Sequence, residues 1–162
     1  YDYLSSKIEV ANNTLEKYNF KNEFILGNGL NIEKILLKFQ QFMKEQYSEK
    51  DTKFLEKHGR LLFLAFIKPI INGVGFDFKE PQISEEKRLD IVITYNTNKY
   101  IIELKIWRGE EYHEKGIKQL FDYLNVNGQN KGYLLIFNFN KNKEYKKEEV
   151  LIEGKEIFEV FV

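Results

Sequence analysis

The stretch LDIVITYNTNKYIIELKIW, residues 89–107, is the most informative part of the sequence for predicting the fold. Two apolar runs rich in β-branched and aromatic residues flank the polar segment NTNK, residues 96–99. This pattern predicts two strands joined by a turn. With a four-residue loop the strands pair so that Asp90 lies opposite Lys105, and opposed residues of an antiparallel pair share a face.

Charged residues interrupt both of these apolar strands. Glu103 and Lys105 are two positions apart, so they share one face while Leu104 points to the other. With Asp90 on the neighbouring strand, the pairing predicts two carboxylates and a lysine that converge. Such charges are costly to bury unless they are paired or bind a metal.

Two carboxylates and a lysine on one face suit phosphodiester hydrolysis. Hard ions such as Mg²⁺ prefer carboxylate oxygens, and a bound ion activates water and neutralises phosphate charge. A lysine can orient that water or stabilise the developing charge. The alternative is an ordinary ion pair on a half-exposed sheet, because charged strand positions are common there.

The rest of the chain alternates between helical and strand patterns. Apolar spacing predicts helices within residues 1–50, at about 51–71 and at about 111–126, and strands at 76–79, 133–137 and 157–162. Asn31 is predicted to cap the helix that follows it. This order predicts a mixed α/β sheet with a helix crossing over between the third and fourth strands. The predicted core comprises Ile91, Ile93, Leu104, Ile117, Leu120, Phe121, Leu124, Leu135 and Phe137.

Composition excludes several classes of protein. The 162 residues are 43% hydrophobic and 15% aromatic, which argues against disorder. Cysteine is absent, so a disulfide scaffold and a cysteine zinc site are excluded. A net charge of zero counts against tight nonspecific DNA binding. No GxxxxGK[ST] motif is present, which excludes an ATPase module of the P-loop kind.

The expected location is the cytoplasm, without a membrane partner. The sequence has no signal peptide and no apolar run long enough to span a bilayer, and the missing cysteines fit a reducing compartment. Because the first residue is Tyr1 rather than Met, we expect a fragment of a longer protein or a chain that lacks its start.

Two short motifs carry a resemblance to a known family. Arg88-Leu89-Asp90 followed by Glu103-Leu104-Lys105 resembles the D…(D/E)-x-K signature of the PD-(D/E)XK nuclease superfamily, with Leu89 where the motif has proline. From residue 56 to about 138 the chain also resembles the C-terminal nuclease-like domain found behind AAA-type ATPase modules in bacterial proteins. The passages that carry this second resemblance are KPIING at 68–73, RLDIVI at 88–93, IELKIW at 102–107 and QLFDYL at 119–124.

The resemblance implies a restriction-endonuclease-like α/β fold and Mg²⁺- or Mn²⁺-dependent cleavage of nucleic acid, expected to be DNA. It assigns residues 51–162 to the nuclease-like domain and leaves residues 1–50 as a helical extension or linker region. Asp90, Glu103 and the backbone carbonyl of Leu104 are the implied metal ligands. Lys105 is the implied catalytic lysine. An ATPase module in the full-length protein is the implied partner.

Further residues follow from the same resemblance. Glu56 is the equivalent of a glutamate in the superfamily's first helix, with a surface ion pair to Arg60 as the alternative. Gln119 and Tyr123 resemble the Q-x-x-x-Y element that lies beside the active site, although Gln119 could simply face water. Trp107 shares the face of Glu103 by strand parity, so it stacks on a base or packs in the core.

The two histidines of the chain are not predicted to bind a metal. His58 and His113 are interpreted as ordinary polar residues, because neither has metal-ligand spacing. The main alternative to a nuclease is an accessory module that keeps the nuclease fold and binds nucleic acid or an ATPase partner without cutting. A third reading is a purely structural α/β domain.

Overall fold

The computed structural model divides the chain into two compact units, Tyr1–Lys79 and Glu80–Val162. The structure describes residues 24–27, 29–47, 49–72, 82–84, 89–95 and 97–162. The predicted helical content of residues 1–23 and the predicted strand at 76–79 lie outside the described residues. None of the helices in the described part of the chain is long and apolar enough to cross a membrane.

The first unit is a short hairpin followed by two helices. Its elements are β1 (Ile25–Leu26), β2 (Gly29–Leu30), α1 (Ile32–Gln46), a 3₁₀ turn (Glu49–Asp51) and α2 (Thr52–Asn72). As predicted, Asn31 caps α1, and its side-chain oxygen accepts a hydrogen bond from the Lys34 N–H at 3.2 Å. The helix predicted at about 51–71 is confirmed as α2.

Aromatic rings fill the core of this unit. The Phe39 ring of α1 packs edge-on against Phe63 and Phe66 of α2, with centroids 5.0 and 5.3 Å apart. Edge-to-face packing of this kind is favoured over a face-to-face sandwich and adds to the stabilisation from burial. The apolar spacing of both helices therefore reflects the burial of one face of each.

The second unit is built on a six-stranded sheet with the strand order β3-β4-β5-β6-β8-β7. Its elements are β3 (Gln82–Ser84), β4 (Leu89–Tyr95), β5 (Asn98–Ile106), α3 (Glu110–Val126), β6 (Lys131–Phe137), β7 (Lys147–Ile152) and β8 (Lys155–Phe161). β5, β6 and β8 run parallel, and the other neighbours pair antiparallel. Helix α3 crosses over from β5 to β6, which confirms the predicted mixed α/β fold, consistent with a restriction-endonuclease-like architecture.

The hairpin between β4 and β5 differs from the prediction. β5 begins at Asn98, which pairs with Tyr95, so the prediction of a four-residue loop was wrong. Asp90 consequently pairs with Glu103 and not with Lys105. A two-residue connection matches the twist of antiparallel strands, and this preference outweighs the polar character of the segment. Because the register differs by two positions and side chains alternate with a period of two, every residue keeps its predicted face.

Apolar side chains are buried on both faces of the sheet. Helix α3 covers one face, where a core cluster forms from Ile101, Leu120, Leu124, Leu134, Ile136, Ile157 and Phe161. The opposite face buries a second set of apolar side chains, Ile91, Ile93, Ile102, Leu104, Leu135 and Val160. Seven of the predicted core residues are no more than 4% exposed, namely Ile91, Ile93, Leu104, Leu120, Leu124, Leu135 and Phe137. Ile117 and Phe121 are half-buried at the edge of the helix.

Candidate active site

An acidic row crosses the helix-covered face of the sheet. Asp90 of β4 pairs with Glu103 of β5, and Glu103 pairs with Leu134 of β6. Leu134 in turn pairs with Glu159 of β8. Paired residues of neighbouring strands share a face, and Glu103 and Glu159 are on the face that α3 covers; we call the three register positions Asp90, Glu103 and Glu159 the acidic row.

Glu103 is the buried centre of the row. Its side chain is 1% exposed, and its Oε1 lies 3.8 Å from the Nζ of Lys105, whose side chain is 14% exposed. Opposite charges interact more strongly when water is largely excluded than they do on a surface. The lysine therefore offsets much of the charge of a carboxylate that would otherwise be costly to bury.

Helix α3 contributes the remaining contacts of Lys105. The Gln119 side-chain oxygen lies 3.5 Å from Lys105 Nζ, which is a long contact for a hydrogen bond. The ring of Tyr112 lies 4.9 Å from the same nitrogen, within the range of a cation–π interaction. Both helix residues are exposed, so the ammonium lies where the buried row meets the surface.

The residue types at positions 90 and 103 are ones that a hard divalent ion prefers. The backbone register places the carboxylate residues Asp90 and Glu103 side by side on one face. Mg²⁺ is commonly bound through one or two carboxylates and keeps several water ligands, so a pair of acidic residues is sufficient. No group of three or more acidic, histidine or cysteine side chains that could hold a metal occurs among the described residues.

Glu159 and His113 form a second buried pair that the sequence analysis missed. The Glu159 carboxylate is 1% exposed, and its Oε1 lies 2.5 Å from His113 Nε2. The imidazole also packs against the rings of Trp107 and Phe161, with centroids 5.1 and 5.7 Å away. The signal was present in the sequence, because Glu159 interrupts the apolar run IFEVF as Glu103 interrupts its own strand.

The other residues singled out from the sequence lie in varied surroundings. Trp107 is half-buried and packs with Tyr123 against the core cluster beneath α3. Leu104 is buried on the opposite face of the sheet. Glu56 is exposed on α2 in the first unit, and its part in the site stays a prediction.

Comparison with known proteins identifies the same region. The model of the PD-(D/E)XK nuclease superfamily matches residues 72–148, which contain β3 to β6, α3 and the residues Asp90, Glu103 and Lys105. Glu159 lies beyond the matched residues. Neither the curated proteins nor the solved structures gave a match. Over residues 72–148, therefore, the chain is similar to the PD-(D/E)XK nuclease superfamily.

Proposed function

We propose that this chain carries a metal-dependent nuclease domain that hydrolyses phosphodiester bonds in DNA. The observation that carries the proposal is the backbone register, which pairs Asp90 with Glu103 on the face where Lys105 lies 3.8 Å from Glu103. The match to the nuclease superfamily over residues 72–148 supports the same reading.

In this proposal Asp90, Glu103 and the backbone carbonyl of Leu104 hold a Mg²⁺ or Mn²⁺ ion. When bound, such an ion lowers the pKa of a coordinated water and neutralises charge on the phosphate. The two carboxylates also exclude other anions from the site, so a phosphate enters only when a cation is present.

Lys105 is the residue of this chain that acts on the reacting phosphate. Its ammonium stabilises the negative charge that develops on the phosphate oxygens, or orients the attacking water. Gln119 assists by contacting the same ammonium. We further propose that Glu56 assists the metal site and that Tyr123 and Trp107 contact the substrate.

The cellular location and the partner of the domain are also proposals. We propose that the domain works in the bacterial cytoplasm on DNA, delivered by an ATPase module in the full-length protein. The ATPase partner rests on the resemblance of the passages around Asp90, Glu103 and Gln119.

A non-cleaving accessory module is the second candidate. It is favoured by the net charge of zero, because proteins that grip nucleic acid through its phosphates usually carry a basic footprint. Such a module would bind nucleic acid or the ATPase partner through the same fold. A module that does not cut has, however, no evident need for the whole set of Asp90, Glu103 and Lys105.

Cleavage assays with matched variants test the proposal. Plasmid DNA and short DNA and RNA oligonucleotides are incubated with wild type, Asp90→Asn and Lys105→Ala, each with Mg²⁺, with Mn²⁺ and with chelator. Lys115→Ala is the control, since Lys115 is an exposed lysine of the neighbouring helix α3. We expect metal-dependent cleavage by wild type and the control that both site variants lose. If the folded wild type binds nucleic acid but cuts none of these substrates, the accessory module is the better account.

A further inference from the structure

Three residues of α3 surround the end of the Lys105 side chain. Tyr112, Gly116 and Gln119 are spaced by four and three positions, so they lie on one face of the helix. The Tyr112 ring lies 4.9 Å from Lys105 Nζ, and the Gln119 oxygen lies 3.5 Å from it. Gly116, between them, is buried.

The space beside Gly116 is filled by the lysine. A β-carbon at position 116 would lie 2.9 Å from each of Cδ, Cε and Nζ of Lys105, closer than real side chains approach. Glycine is disfavoured in a helix interior relative to alanine, so helix propensity gives no reason for its presence there. The missing side chain is what lets the lysine lie against the helix.

We propose that Tyr112, Gly116 and Gln119 form a lysine slot that holds the Lys105 ammonium against Glu103, with Gly116 as a positioning residue. A catalytic role of the slot rests on the proposed nuclease function, whereas the contacts that form the slot are independent of that function. The slot keeps the Lys105 side chain 14% exposed and its Nζ 3.8 Å from the buried Glu103 carboxylate.

Gly116→Ala tests the slot because it separates position from stability. The atoms that a new methyl group displaces are the far end of a flexible side chain, so the protein should still fold. The higher helix propensity of alanine offsets part of the stability that is lost when Lys105 moves away from Glu103. The ammonium, however, must move away from the helix. A displacement of about 1 Å in a catalytic group can lower turnover by about 100-fold, and we expect a loss of this order in kcat with KM nearly unchanged.

A chemical readout makes the test independent of cleavage. The acetylation rate of Lys105 by an amine-reactive reagent is measured by mass spectrometry in the full chain, with Lys115, whose side chain is 71% exposed, as internal reference. We expect slow labelling of Lys105 in wild type and labelling near the Lys115 rate in Gly116→Ala. Tyr112→Ala should raise the Lys105 rate as well, and the conservative Tyr112→Phe should restore the wild-type rate because it keeps the ring.

The outcomes distinguish the slot from the nuclease proposal. If Lys105 labelling rises in Gly116→Ala and Tyr112→Ala but wild type cuts no substrate, the slot stands and the proposed function fails. If labelling of Lys105 is unchanged in both variants, the slot is overturned whether or not the protein cuts. Should Gly116→Ala fail to fold, the comparison of Tyr112→Ala with Tyr112→Phe decides alone, since Tyr112 is 42% exposed.

Discussion

Two glutamates of the same sheet face are equally buried but differ in their partners. Glu103 and Glu159 are each 1% exposed, and each is paired with Leu134, one from either side. Glu103 has a lysine partner that reaches exposed residues of α3, whereas the histidine partner of Glu159 packs against two aromatic rings.

Burial of a carboxylate does not by itself mark a catalytic group. A charged residue in a sheet core needs a partner, and both glutamates have one. What differs is access: the Lys105 side chain lies beside exposed helix residues, while the His113 ring packs against the rings of Trp107 and Phe161. We therefore propose a catalytic role for the Glu103–Lys105 pair and a structural role for the Glu159–His113 pair, called the Glu103 pair and the Glu159 pair below.

The largest expected effect is on turnover at the Glu103 pair. Lys105→Ala and Glu103→Gln should each lower kcat by about 100- to 1000-fold, because each removes a preorganised charge from the reacting centre. Lys105→Ala should also lower the free energy of unfolding by about 1–3 kcal/mol, since it weakens the support of a buried carboxylate. Kinetics measured well below the melting temperature separate the two effects. Wild-type turnover in either variant would contradict the proposed catalytic role of Glu103 and Lys105.

The second effect is on stability at the Glu159 pair. His113→Ala should lower the free energy of unfolding by about 3 kcal/mol, because it leaves a buried carboxylate without its imidazole partner. Turnover per folded molecule should stay near wild type. Chemical denaturation with His113→Leu/Glu159→Leu as the matched double variant checks the cause, because replacing both partners by apolar groups should restore most of the loss. A large loss of turnover in folded His113→Ala would give this pair a catalytic role as well.

The third effect is stabilisation by metal. At a free Mg²⁺ concentration ten times its Kd, binding to the folded state should stabilise the protein by about 1.4 kcal/mol and raise the melting temperature. Glu103→Gln should lose this stabilisation and His113→Ala should keep it, since only the first alters the proposed ligands. Calorimetric titration and thermal melts with Mg²⁺ and Mn²⁺ measure the difference. Equal metal effects in the two variants would contradict the assignment of the ligands.

The smallest effect concerns a lysine outside both pairs. Burial lowers the pKa of Lys143 from 10.5 to about 8. Below pH 8 both the folded and the unfolded chain carry the proton, so the cost of burying the charge does not change with pH. Between pH 8 and 10.5 the unfolded chain binds more protons than the folded chain, so the free energy of unfolding rises with pH. The rise should be small because the residue is only half-buried. Chemical denaturation is measured between pH 8 and 10.5, with Lys143→Met as control. The free energy of unfolding should rise with pH more steeply for wild type than for the control.

The sequence predicts much of the fold because apolar periodicity is a local signal. The strand at residues 89–95 and the crossover helix at about 111–126 were predicted within a residue of their bounds in the structure. Hairpin register was predicted less well, because the polar segment NTNK is equally compatible with a loop of four residues or two. The shared face of Asp90 and Glu103 was nevertheless predicted correctly, since an even shift in register preserves the alternation of side chains.

The surroundings of the site could not be predicted in the same way. The burial of Glu103 and the slot around Lys105 depend on where α3 lies over the sheet, which is a long-range property. The His113–Glu159 pair joins residues 46 positions apart, beyond the reach of any local pattern. Glu159 was nonetheless detectable as a charge within an apolar strand, by the same reasoning that identified Glu103.

The most direct test of the central claim is the location of a bound metal. Crystals of the full chain soaked in Mn²⁺ can be measured at a wavelength where manganese scatters anomalously. We expect an anomalous peak in contact with both Asp90 and Glu103, and no peak at the His113–Glu159 pair. A peak absent from the Asp90–Glu103 position at millimolar Mn²⁺, with Lys105 still against Glu103, would contradict the proposal that this pair is a nuclease metal site.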